Sequence, residues 1–252
     1  MFTPAEREGI RAALIDWAAE DPAIAGAALV GSAARDAEDN WSDIDLVLQL
    51  TPGADEPAVA RAWTDHLRAL APVADTFDLF AGGVRYRAFL LESSLQVDLS
   101  FWPFEQFRAT EGPFRLLFGT PGTASEPAPP DLDGVIGMGW LYVLHARSAV
   151  ARGRMWQATL MLDELRDTVV TLMCLRNELP YRHGRGVDHL PDDDRSKLES
   201  SRAAHINSAD LDTSRRRLTR LFLEEIQLID HERAGRLQGA FDQLLTPLRV
   251  AR

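Results

Sequence analysis

The chain predicts an α/β domain built on a mixed sheet, followed by an all-α helical bundle. Three observations carry that expectation. Segments with strand and helix spacing alternate through residues 1–118. Residues 119–133 then carry four prolines and no apolar period. Beyond them, apolar residues recur only at helical spacing. The boundaries are therefore a first domain at 1–118, a linker at 119–133 and a second domain at 134–252.

In chain order, Thr3-Pro4 with Glu6 gives a cap, a first turn and a capping box for a helix over 4–20. Ala27-Ala28-Leu29-Val30 reads as a short buried strand, and a second strand follows at 45–50. The Thr51-Pro52-Gly53 turn leads into a helix at 56–70. Further strands are expected near 76–80, 85–91 and 95–101, with Ala81-Gly82-Gly83 turning between two of them. Helices lie on one side of such a sheet. Helical periodicity returns at 135–152, 155–179, 194–204, 210–228 and 231–245. In the second of these, Met161, Leu165, Val169, Leu172, Met173 and Arg176 trace one face.

Composition sets limits on partners and compartment. At 46% hydrophobic, the 252-residue chain can bury a substantial core, and no apolar run reaches membrane-spanning length. The opening residues Met1 to Glu8 lack the form of a secretory signal, and Cys174 is the single cysteine. A cytoplasmic location without disulfides is the expectation. Cys174 lies among Leu172, Met173 and Leu175, as a core thiol does. Basic residues number 27 against 38 acidic ones, a net charge of −11. That balance argues against a nucleic-acid partner and favours a small cationic one. Oligomeric state is not readable from the sequence.

The most informative stretch runs from Gly31-Ser32 to Asp43-Ile44-Asp45. Residues two apart on a strand point the same way, so Asp43 and Asp45 project side by side. Like charges that close are costly unless a cation sits between them, and hard carboxylate oxygens suit Mg²⁺ together with substrate phosphates. Gly31 lets the backbone approach a ligand, Ser32 adds a hydroxyl, and small residues running to Arg35 would start a helix whose N-terminus attracts phosphate. A third carboxylate is expected at Asp98, on the polar side of the alternating run Leu95 to Phe101, with Asp78 as the rival.

These residues resemble the polymerase-β-type nucleotidyltransferase superfamily, whose signature is Gly-Ser, a spacer, then Asp-x-Asp, with a carboxylate on a later strand. The order of the two halves resembles the antibiotic-modifying (aminoglycoside and lincosamide) adenylyltransferases. The resemblance implies a nucleotidyltransferase catalytic domain at 1–118 and a helical substrate-binding domain at 134–252, with substrates between the two. It implies two Mg²⁺ ions on Asp43, Asp45 and Asp98, and ATP as co-substrate over Gly31, Ser32 and Arg35. Asp98 would take the proton of an acceptor hydroxyl.

The helical half offers further candidates. Asp163 and Asp167, one turn apart, and the adjacent Glu164 could clamp a cationic acceptor; the alternative is a solvated face with Asp163 paired to Arg166. Arg182 or Arg185 in the glycine-rich, basic segment 180–191 could meet the triphosphate; the alternative there is helix capping by Gly184. Leu198-Glu199-Ser200-Ser201-Arg202 resembles the helix on which streptomycin-type adenylyltransferases carry a basic phosphate contact, which makes Arg202 the matching residue. Arg176 and His183 also fit the loose spacing of a helical ribonuclease family, across an interrupting Pro180. The leading expectation is Mg²⁺-dependent transfer of AMP from ATP to a hydroxyl of a small cationic acceptor such as an aminoglycoside. Nucleotidylation of a protein or RNA partner, and a non-catalytic nucleotide sensor, are the other expectations.

Overall fold

The structure, a computed structural model, describes residues 1–110, 112–125 and 130–248. The chain forms two compact units, Met1–Ala128 and Pro129–Arg252.

The first unit is a mixed sheet with helices on one side. Its helices are α1 (Pro4–Glu20) and α2 (Glu56–Leu70). Its strands are β1 (Ile24–Val30), β2 (Ile44–Leu50), β3 (Val73–Ala81), β4 (Val84–Leu91), β5 (Gln96–Trp102) and β6 (Phe114–Phe118), in the order β3-β4-β5-β2-β1-β6. Only β2 and β5 run parallel; the other pairs are antiparallel. Thr3 caps α1 by accepting from the Glu6 amide at 3.1 Å, with Pro4 in the first turn. Asp55 caps α2, accepting from the Ala58 amide.

Alternation gives the sheet two unlike faces. Ile44, Leu46, Leu48, Val97, Leu99 and Phe101 form one buried core with Ile10 and Leu14 of α1 and Trp63 and Leu67 of α2. The Trp63 indole N–H donates to Asp21 at the end of α1, at 2.9 Å, tying the two helices together. On the opposite face, a small cluster of Ala28 of β1, Val47 of β2, Trp102 at the end of β5, Val84 at the start of β4 and Phe107 is buried.

Strand β6 lies inside the first unit, pairs with β1 and was not expected from the sequence. It is only five residues long and shows no alternation, so its partner supplies the reason for it. The stretch expected as a linker is partly tied down: the Gly122 amide donates to Phe107 O at 2.8 Å and the Ser125 amide to Ala109 O at 3.1 Å. Residues 126–129 of that stretch lie outside the described residues.

The second unit is all helical among its described residues. Its helices are α3 (Leu132–Ala151), α4 (Met155–Arg176), α5 (Asp192–Ser200), α6 (Ser208–Ile229) and α7 (His231–Leu244). Asp131 caps α3 by accepting from the Gly134 amide at 2.9 Å, so the helix begins before the expected linker has ended. Helix α4 stops three residues short of expectation because Glu178 turns left-handed (φ 55°) ahead of Pro180. Pro191 opens α5, and its C-terminus is closed by the buried Ser201 hydroxyl donating to Leu198 O at 2.6 Å. Leu165, Val169, Leu172 and Met173 pack in one core with Leu218, Phe222 and Ile226, and Cys174 is a buried thiol within it. Gly139 of α3 is required by contact, because a Cβ there would sit 2.3 Å from the Phe222 ring.

Candidate active site

Asp43 directly precedes β2, and Asp45 is its second residue. Asp45 is the register partner of Asp98 across the parallel β2–β5 pair, so both side chains leave the same face of the sheet. Asp43, Asp45 and Asp98 each offer a carboxylate oxygen, and the three oxygens lie within 4.8 Å of one another. Asp98 Oδ2 accepts from the Gln96 amide group at 2.8 Å, while its buried Oδ1 accepts no hydrogen bond. Burial lifts the Asp98 carboxyl above the usual carboxylate range; the Gln96 hydrogen bond opposes this and the Asp43 charge adds to it. A hard-oxygen donor set with an orphaned buried oxygen fits a divalent cation such as Mg²⁺.

Asp78 does not join this group. It faces α2, held by Arg87 through Nε at 2.6 Å and Nη2 at 2.7 Å, and it also pairs with Arg85. These arginines answer its charge, and its carboxyl sits below the usual range, chiefly through the Arg87 hydrogen bonds.

Gly31 closes the other side of the acidic group. Its φ of 63° is left-handed, and a Cβ there would meet Asp45 Oδ2 at 2.2 Å. The expected helix after Ser32 is shorter than anticipated, a single 3-10 turn over Ala33–Arg35. Its end is turned by Asp36 at φ 52° and by the Ala37 amide donating to Ser32 O at 3.1 Å. What remains of the phosphate cradle is a tight turn whose leading amides have no partner within it. Arg35 is exposed.

The loop from Asp36 to Ser42, which delivers Asp43, is anchored by residues that the sequence reading missed. Arg7 and Arg11 of α1 are buried on the same stripe as Ile10 and Leu14. Arg7 Nη1 donates to the carbonyl oxygens of Asp39 and Ser42, the latter at 3.2 Å. Its Nε lies 3.2 Å from Glu38 Oε1 as an ion pair without hydrogen-bond alignment, and Arg11 pairs with the same carboxylate. Asp39 Oδ1 accepts from the Trp41 amide at 2.9 Å and the Ser42 hydroxyl at 3.0 Å, which folds the loop tip. The available signal was the spacing of Arg7 and Arg11, which puts both on the core-facing side of α1.

The candidates of the helical unit form no comparable centre. Asp163 is exposed and paired with Arg166 at 2.5 Å, the solvated-face alternative. Glu164 and Asp167 are exposed beside Tyr142 of α3, whose hydroxyl is raised in pKa by burial first and then by Glu164 and Asp167. Arg185 and Arg202 are exposed. Gly184 does not cap α4, which Asn177 closes; it lies in a separate 3-10 turn over Arg182–Gly184. Arg176 bonds Glu225 at 2.8 and 3.1 Å and Asp194 at 2.8 Å, an ion network that ties α4 to α5 and α6. His183 sits in a left-handed turn (φ 57°) rather than on a continuous helix with Arg176, so the ribonuclease-like spacing has no helical geometry behind it.

No protein-family model matches the chain, and no curated protein does. Among solved structures, the chain is similar to an aminoglycoside 6-adenyltransferase from Bacillus subtilis, with a TM-score of 0.42 and 13% identity over 95% of this chain and 98% of that one. No helix among the described residues is long and apolar enough to cross a membrane.

Proposed function

We propose that the chain is a nucleotidyltransferase that moves AMP from ATP to a hydroxyl of a small acceptor. The observation that carries this reading is the group of three carboxylate oxygens within 4.8 Å, one of them on a residue with a buried, unpartnered oxygen, closed on one side by Gly31. Asp43, Asp45 and Asp98 would hold Mg²⁺. When bound, the ion neutralises phosphate charge and polarises the α-phosphorus. The turn at Gly31-Ser32 takes the leaving pyrophosphate end, because it borders the acidic group and glycine admits close approach. Asp98 takes the proton of the acceptor hydroxyl as the new O–P bond forms and the bond from the α-phosphorus to the bridging oxygen breaks. Arg35, in the turn that follows Ser32, is a proposed phosphate contact. The net charge of −11 supports a cationic acceptor over nucleic acid.

The test is a pyrophosphate-release screen with ATP, GTP, CTP and UTP against aminoglycosides and lincosamides, beside calorimetric titration of each nucleotide with and without Mg²⁺. Magnesium-dependent nucleotide uptake with acceptor-dependent release is expected. A folded protein that takes up no nucleotide in the presence of Mg²⁺ ends the proposal.

A further inference from the structure

The acidic group lies in a row that continues across the sheet. Asp45 is in register with Asp98, Asp98 with Ala88, and Ala88 with Phe77. The next row runs Val47, Ser100, Tyr86, Leu79. All these side chains share the face that α1 and α2 do not cover. With strands about 4.8 Å apart, Phe77 stands about 10 Å from Asp98 along its row. Phe107 and Trp102 roof this face over Ala28, Val47 and the start of β4 at Val84. Along β3, and along β4 beyond Val84, it is open: Phe77 is 58% exposed, Leu79 60% and Leu90 50%, with Tyr86 packed edge-on against Trp102. The charged residues of these two strands turn elsewhere. Arg85, Arg87 and Asp78 face α2, and only Asp75, beside Leu90, borders the open patch.

We propose that Phe77, Leu79, Tyr86, Ala88 and Leu90 form the acceptor platform, and that the part of the acceptor flanking its reactive hydroxyl is uncharged and apolar. This rests on the nucleotidyl-transfer reading. In an in-line displacement the nucleophile arrives opposite the leaving group. Pyrophosphate leaves toward Gly31, on the β1 side of the acidic group, so the hydroxyl approaches from the β4 side. That side is an exposed apolar surface continuous with Asp98, and contiguous exposed apolar surface marks a binding site. The acceptor is thus amphipathic, with its hydroxyl at Asp98 and its apolar flank on β3 and β4.

Octyl β-glucoside, kept below its micelle-forming concentration, and methyl β-glucoside are titrated calorimetrically into the full chain loaded with Mg²⁺ and a non-hydrolysable ATP analogue. Wild type is expected to bind the octyl compound at least ~10-fold tighter than the methyl one, and Phe77→Ser and Leu79→Ser to erase that preference. Both positions are exposed, and far-UV dichroism confirms that the variants fold. Equal affinity for the two glucosides, or an octyl preference unchanged in both variants, overturns the platform. So does loss of the ATP analogue in the variants, which would put the nucleoside there, or a dimer in sedimentation that Leu79→Ser dissolves, which would make a second copy the occupant. If wild type binds no nucleotide, the nucleotidyl-transfer reading fails instead, and the same titration on the unloaded chain still decides whether the face takes an apolar ligand.

Discussion

The two faces of the six-stranded sheet are made by the same strands and do opposite things. Toward α1 and α2, Ile44, Leu46, Leu48, Val97, Leu99 and Phe101 are buried, and the carboxylate on that side, Asp78, is matched by two arginines. On the other face, Asp45 and Asp98 gather with Asp43, an oxygen is left unpartnered, and large apolar residues stay exposed. One face buries a packed core and pairs the Asp78 charge; the other holds like charges together and leaves apolar surface uncovered. Such unfavourable features are tolerated where a ligand answers them.

The largest expected effect falls on the open face. Asp43→Asn should reduce nucleotide transfer below detection while leaving the thermal midpoint unchanged or higher, since its like-charge repulsion with Asp98 is relieved. Pyrophosphate release and a dichroism melt read both, and retained turnover would erase the contrast between the faces. On the helix-covered face the order reverses. Phe101→Ala should cost about 3–5 kcal/mol in urea unfolding, because Phe101 is fully buried against Trp63. A loss below about 1 kcal/mol would mean that this face is not the stabilising one.

Asp78→Asn sharpens the comparison at smaller scale, costing about 1–3 kcal/mol at neutral pH by leaving Arg87 and Arg85 poorly matched. The folded carboxyl lies below its ordinary value, so its contribution is complete above about pH 4 and fades as pH falls through that lower folded value. The stability gap between wild type and variant should therefore close only in strong acid. A gap that widens on acidification would reverse the assigned sign.

Much of the fold follows from local pattern. The capping residues Thr3 and Asp55, the alternation through Leu95 to Phe101 and the helical period after residue 131 need no long-range information. β6 was invisible because five residues without alternation become a strand only when β1 offers an edge. Helix ends were displaced where one side chain or one left-handed residue decided them, as Ser201 and Glu178 do. Arg7 and Arg11 were passed over because a charged residue on an apolar stripe makes sense only once Glu38 and the carbonyls of the loop are known to meet it.

By itself the sequence determined that Asp43 and Asp45 stand side by side next to a glycine turn, because strand spacing is a local property. It left the choice between Asp98 and Asp78 open. Only the tertiary structure decided that: the parallel register of β2 with β5 brings Asp98 to Asp45, while the other face of β3 turns Asp78 to the arginines. Alternation states that a strand has two faces. Which face the helices cover, and which is left open beside the carboxylates, depends on contacts between residues far apart in the chain.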